Sequence, residues 1–328
     1  MMDFNTFMTV VKDNAVSYMG EGYEDITVDV RPINKTNKQV HSLNFAIPGI
    51  NLMPSLEMEN LYDQYKNKFD GDFQTFIEYF SDFARDAVKS ARINVVNANK
   101  LDLSDTSDII PVLINTESNK ELIKTAPHRE IEDMSIVYKK ILTFDSEFGA
   151  VLVTNDIMEN SLSGITEDDL FMEAVENQER MFPVEFKSMS DKIRGMMIAD
   201  GIPEDMVESM IPDTPGMYFL SNTRNYYGAS LMVDPVKMLE YKEEIGGDYY
   251  IIPSSVHEVL LVDKNQCNDV QFLVDMVSSV NPTVSEKDRL SNNIYEISDS
   301  GRIVKASNVP TKGIKDIDLQ KDNVSMTI

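Results

Sequence analysis

The run Asp248-Tyr249-Tyr250-Ile251-Ile252-Pro253-Ser254-Ser255-Val256-His257-Glu258-Val259-Leu260-Leu261-Val262-Asp263 limits the fold more than any other stretch. Its apolar segments are short, β-branched and aromatic, and polar residues bound them, so it reads as two strands meeting at a Pro-Ser-Ser turn. From Val256 to Asp263 one face carries Val256, Glu258, Leu260 and Val262, and the other carries His257, Val259, Leu261 and Asp263. Both faces are largely apolar, which expects a strand in the middle of a sheet, covered on both sides. Such a strand needs neighbours, and the rest of the chain has to supply them.

The neighbours are legible as hairpins. Ile26, Val28 and Val30 alternate with polar residues, as do His41, Leu43, Phe45 and Ile47, around the turn material Asn34 to Lys38. Met134 to Thr143 and Gly149 to Thr154 form a second pair, and Met217 to Ser221 and Gly228 to Val233 a third. Helices fall between them. Phe4, Phe7, Met8 and Val11 open the chain with an amphipathic helix, and Phe73 to Val88 carries a long aromatic stripe that suits core packing. Thr166 with Asp169 three residues on forms a weak capping box ahead of a helix from Glu167, and Asp234-Pro235 starts another helix. Hairpins interrupted by helices favour an α+β fold with a mainly antiparallel sheet. Polar, aperiodic residues from Asn97 to Asp105 suggest a boundary. The expected organisation is a smaller helix–hairpin–helix unit over 1–98, an α+β domain over 107–300 and a flexible tail over 301–328.

Against 30 Lys and Arg stand 55 Asp and Glu, a formal charge of -25 over 328 residues. That argues against nucleic-acid phosphates and anionic membranes, since both are held by clustered Lys and Arg. Acidity first serves solubility; its sharper use is a face for a basic partner. One cysteine, Cys267, cannot form an internal disulfide. The start lacks a basic n-region and a long apolar stretch, and no run is long enough to span a bilayer. A reducing, cytoplasmic setting is expected.

Phosphate loops, dinucleotide fingerprints and paired-cysteine or metalloprotease motifs are missing, and His41, His128 and His257 lack ligand spacing, so no cofactor or metal is expected. The most reactive-looking set is Ser254, Ser255, His257 and Glu258. A hydrolase would use either serine as nucleophile and His257 as base. Strand alternation would place Glu258 on the face opposite His257, and the serines lack the elbow of hydrolase nucleophiles. The competing reading is a buried His and Glu satisfied by structural partners. His128 with Arg129 forms a second polar knot, in which Arg129 followed by Glu130 and Asp133 fits a structural ion pair or an anion clamp. Asn222, Asn225, Tyr226, Tyr227 and Gly228 mark a turn whose glycine suggests positive φ or close backbone approach, with a tyrosine-lined pocket as one use.

Several of these segments resemble a bacterial, Firmicutes family of uncharacterised proteins, a domain of unknown function. They are Leu113-Ile114-Asn115-Thr116-Glu117-Ser118-Asn119 with Ala126-Pro127-His128-Arg129, and Arg180-Met181-Phe182-Pro183-Val184-Glu185-Phe186-Lys187-Ser188-Met189. Leu220-Ser221-Asn222 with Tyr227-Gly228-Ala229-Ser230, and Tyr250 to Val259, complete the set. The resemblance covers nearly the whole chain except the tail. The C-terminal two-thirds is also faintly similar to a second uncharacterised, Bacillus-type family. Neither resemblance implies an activity, cofactor or ligand. The turn before Gly228 is longer and more aromatic than the family pattern, which leaves a shared pocket there in doubt. The binding candidates are therefore His128, Arg129, Asn222, Tyr227, His257 and Glu258, and the expected role is non-catalytic binding of a basic protein or a small ligand. The hydrolase built on His257 with Ser254 or Ser255 is the alternative.

Overall fold

The alternating and helical patterns resolve into three antiparallel sheets with packed helices, an α+β architecture, in the computed structural model. It describes residues 1–50, 53–98, 102–144, 147–211, 214–253, 255–267 and 270–306. The chain divides into two compact units between Asp102 and Leu103.

The first unit runs α1 (Phe4–Met19), β1 (Thr27–Lys35), β2 (Lys38–Ala46), β3 (Ser55–Glu57), α2 (Met58–Asn67) and α3 (Phe73–Ala98). β1 and β2 pair from Thr27↔Ala46 to Lys35↔Lys38, and β3 adds to β2. The turn residue Asn37 takes φ 61°, which asparagine tolerates better than most residues. Asp3 caps α1 by accepting from the Thr6 N–H at 3.0 Å. The aromatic stripe of α3 is core: Phe76 and Phe80 are fully buried, and Phe76 packs on Phe7 and Tyr65 with ring centres 5.2 and 5.8 Å away. Phe83, grouped with that stripe by its spacing, is instead exposed.

The second unit holds β4 (Ile109–Asn115), α4 (Lys120–Ile123), β5 (His128–Ile131), β6 (Met134–Phe144), β7 (Glu147–Leu152), α5 (Asn155–Asn160) and α6 (Glu167–Met181). It continues through β8 (Val184–Ser188), α7 (Met189–Ala199), α8 (Glu204–Met210), β9 (Met217–Asn222), a 3-10 segment (Gly228–Val233) and α9 (Pro235–Ile245). It closes with β10 (Tyr249–Ile252), β11 (Val259–Asp263), α10 (Val270–Val280), β12 (Tyr295–Ile297) and β13 (Ile303–Lys305). One sheet centres on β6, which pairs β4 on one edge and β5 and then β7 on the other. The other has six strands in the order β13-β12-β10-β11-β9-β8. β11 lies between β10 and β9; Val259 and Leu261 are fully buried on one face and Val262 is buried on the other, as a doubly covered strand requires.

Several expectations are corrected. β11 starts at Val259, so His257 and Glu258 lie in the bend before it, not on its two faces. Pro253 has no N–H for a ladder, and the chain after it is drawn to the segment around Asp288: the Val256 N–H donates to the Asp288 carbonyl at 2.8 Å. Gly228–Val233 is a wholly buried 3-10 segment instead of a strand. There the Ser230 hydroxyl donates to the Tyr227 carbonyl at 2.7 Å, a local bond that competes with strand pairing. The stretch 201–216, whose three prolines read as a helix-poor loop, contains α8. β4 and β8 appear where no strands were expected; β4 is buried throughout, and a short apolar run has no period to read. Residues 301–306, assigned to a tail, instead carry β13, held by pairing Tyr295↔Lys305 to Ile297↔Ile303. The tail from 307 lies outside the described residues. Among the described residues, no helix is long and apolar enough to cross a membrane.

Candidate functional site

Two groupings in the second unit collect the candidate residues. The first is built on the loop after β9. Asn222, fully buried, accepts the N–H groups of Arg224 and Tyr226 on its side-chain oxygen and donates to the Tyr226 carbonyl at 2.8 Å. This folds the loop back on itself and holds Asn225 and Tyr227 in the left-handed region, at φ 49° and 54°. For a bulky tyrosine that conformation is strained. Gly228 has no positive φ; its need is space. A Cβ there would stand 2.3 Å from Ser221 Oγ and 2.4 Å from the His257 carbonyl oxygen.

Tyr227 is thereby presented to His257. Its N–H donates to His257 Nδ1 at 3.3 Å, and the two rings stack with centres 5.9 Å apart. Because Nδ1 accepts, the neutral imidazole carries its proton on Nε2, the nitrogen 3.4 Å from Asp288 Oδ1. Lys139, on β6, donates to Tyr227 Oη at 2.8 Å. Burial pushes the Lys139 ammonium down to about 8 and raises the Tyr227 phenol. The Tyr227 carbonyl accepts from Gln178 at 3.2 Å.

The reactive-looking set is engaged internally. The Ser255 hydroxyl donates to Glu258 at 2.7 Å and accepts from the His257 N–H at 3.0 Å. The acceptor nitrogen of His257 faces a backbone N–H. Ser254 lies outside the described residues. The structure thus brings Asn222, Tyr227, Ser255, His257 and Glu258 together. It adds Lys139, Gln178 and Asp288, which sequence reasoning missed; a lysine pair inside an otherwise apolar strand was the one available signal.

His128 and Arg129 belong to the second grouping, on β5. His128 Nδ1 donates to the Ala126 carbonyl at 3.0 Å. Arg129 meets Glu167 twice, at 2.8 and 2.6 Å, and Asp168 at 2.8 Å, both in the first turn of α6. Its guanidinium lies 3.9 Å from the centre of the Phe171 ring. Tyr138 also hydrogen-bonds Glu167. Burial pushes Glu167 up, but the Arg129 and Tyr138 bonds and the Arg129 charge outweigh it and hold the carboxyl below its usual range. The partners expected from sequence proximity, Glu130 and Asp133, are not the ones used.

Beside Arg129 opens a cleft of about 620 Å³. Ile131, Ile136, Phe171, Met232, Val233 and Ile303 give it an apolar lining, with Arg129, Glu130, Glu132 and Arg302 as its charged groups. Glu130, Glu132 and Arg302 are exposed and make no ion pair among the described residues. Asp133 fastens the two walls together. From the β5–β6 turn it accepts from Ser291 and Asn293, each at 2.9 Å, and from Tyr295 of β12, with Lys305 of β13 3.6 Å away. The cleft is therefore preformed.

Among the described residues, no group of three or more His, Cys, Asp or Glu is placed to hold a metal ion. No curated protein and no solved structure matches the chain. A family model does, over residues 4–298, and the chain belongs to that family, a family of unknown function, DUF5688.

Proposed function

We propose that this protein acts by binding, and that the unit from Leu103 onward carries its recognition surface at the cleft beside β5. The observation that carries this reading is the cleft itself: a fastened, apolar hollow with two unpaired carboxylates on its rim, in a chain with a surplus of 25 negative charges. Pockets of this size and character are the usual seats of ligands. The surplus charge selects a basic partner and speeds its approach. The internal engagement of Ser255 and His257 supports binding over hydrolysis. A cytoplasmic location, suited to the lone Cys267, belongs to the same reading.

A random-peptide display selection against the whole chain tests it, counter-selected with an Ile303→Asp variant that puts a charge into the lining. Enrichment of sequences combining aliphatic residues with Lys or Arg, lost on the variant, is expected. Enrichment of acidic sequences, or of none that distinguish the two proteins, would sink the reading.

A further inference from the structure

We infer that β5 is a docking edge, and that the occupant of the cleft is an extended peptide with alternating aliphatic and basic residues, added as a strand beside β5. This rests on the binding reading above and names its mode. Among the described residues β5 pairs only with β6, and its other edge carries no partner strand. β13 is likewise the last strand of its own sheet among the described residues. Both edges border the same cleft: Arg129 to Glu132 line one side, and Gly301 to Ile303 the other.

Successive strand residues point to opposite faces, yet Arg129, Glu130 and Ile131 all line the cleft. The hollow therefore meets β5 along its edge, where every second residue turns its N–H and C=O outward. Main-chain hydrogen bonds there would hold any sequence in extended form, and alternate side chains would set the preference. Apolar side chains fit the hollow formed with Phe171 and Met232. Lys or Arg at the intervening positions meets Glu130 and Glu132. Short, charged edge strands also occur merely to prevent unwanted pairing, and the experiment separates that case.

The probe is a blocked Lys-Val-Lys-Val-Lys-Val peptide, with two derivatives N-methylated at all lysines or at all valines, titrated into the full chain. Methylation removes the backbone donors of one edge at a time. One derivative is expected to bind at least about tenfold more weakly than the parent while the other is unaffected, since two or three hydrogen bonds are lost. The outward-facing amides among residues 128–131, every second one, should gain protection from exchange in the complex. A Glu130→Lys, Glu132→Lys double variant, altered only at exposed positions, should bind the parent at least about fivefold more weakly. If both derivatives match the parent, strand addition is overturned and the cleft reading stands. If the parent itself fails to bind at about 1 mM, both fall.

Discussion

Gly228 shows how one residue fixes the geometry of the first grouping. Its missing side chain lets the loop after β9 press against Ser221 and the His257 carbonyl, which sets Tyr227 over the imidazole. A methyl would meet the Ser221 hydroxyl at 2.3 Å and the His257 carbonyl oxygen at 2.4 Å, and the carbonyl, being backbone, cannot swing aside. Gly228→Ala should cost about 2–3 kcal/mol, the upper range for overpacking, read as a shift in the urea midpoint. Lys139 makes the opposite case. Its folded-state value falls from 10.5 to about 8 by burial, so between those values the unfolded chain binds the extra proton. Stability then rises with pH across that window; the penalty is full below about 8 and gone above the unfolded value. Lys139→Met should therefore be the more stable protein at neutral pH, by on the order of 1 kcal/mol once partial exposure and the lost bond to Tyr227 are discounted. Its advantage should shrink as the pH is raised toward 10. Urea midpoints at neutral and alkaline pH check this; a wild type more stable than the variant at neutral pH would overturn it. The sequence drew attention to this neighbourhood, because Ser255, His257 and Glu258 are rare polar residues in an apolar run. It could not supply Lys139 or Asp288, which reach Tyr227 and His257, respectively, only through folding of distant segments.

At the scale of elements, local chemistry that completes itself within a few residues was legible. The Thr166 hydroxyl accepts the Asp169 N–H at 3.1 Å, and Asp169 accepts the Thr166 N–H at the same distance, a reciprocal box. Asp234 caps α9 and Gly246 ends it at φ 88°. Thr166→Ala should remove about 1 kcal/mol, with the loss of amide protection largest in the first turn of α6. An effect spread evenly over the unit would count against a capping role. The first turn also supplies Glu167 and Asp168 to Arg129, so fraying there should loosen one wall of the cleft. Elements whose state depends on distant partners were not legible. β4 reads as a featureless apolar run, and Gly228–Val233 has strand-like composition but is turned into a helix by Ser230 and the contacts of Gly228. Pro111 is accommodated because β4 is the outer strand of its sheet.

For the whole molecule the deciding quantity is charge. If all 30 Lys and Arg were paired with acids, 25 of the 55 carboxylates would still have no counterpart. Those present repel one another over distances set by the ionic atmosphere, about 30 Å at 0.01 M salt and about 8 Å at 0.15 M. The ion pairs work against this: Arg129 with Glu167 at 2.6 Å, or Lys192 with Glu185 at 2.8 Å, stabilise the fold and are themselves screened. Screening of close, half-buried pairs is weak, because little salt enters between them, whereas the long-range repulsion among surplus carboxylates is lost almost completely. Sodium chloride raised from about 10 to about 150 mM should therefore raise the melting temperature by a few degrees. The same change should slow association with a basic peptide, because the field that repels like charges also steers opposite ones. A melting temperature that fell with salt would mean that paired charges, not the surplus, dominate. The acidic surface would then no longer mark the protein as built for a basic partner.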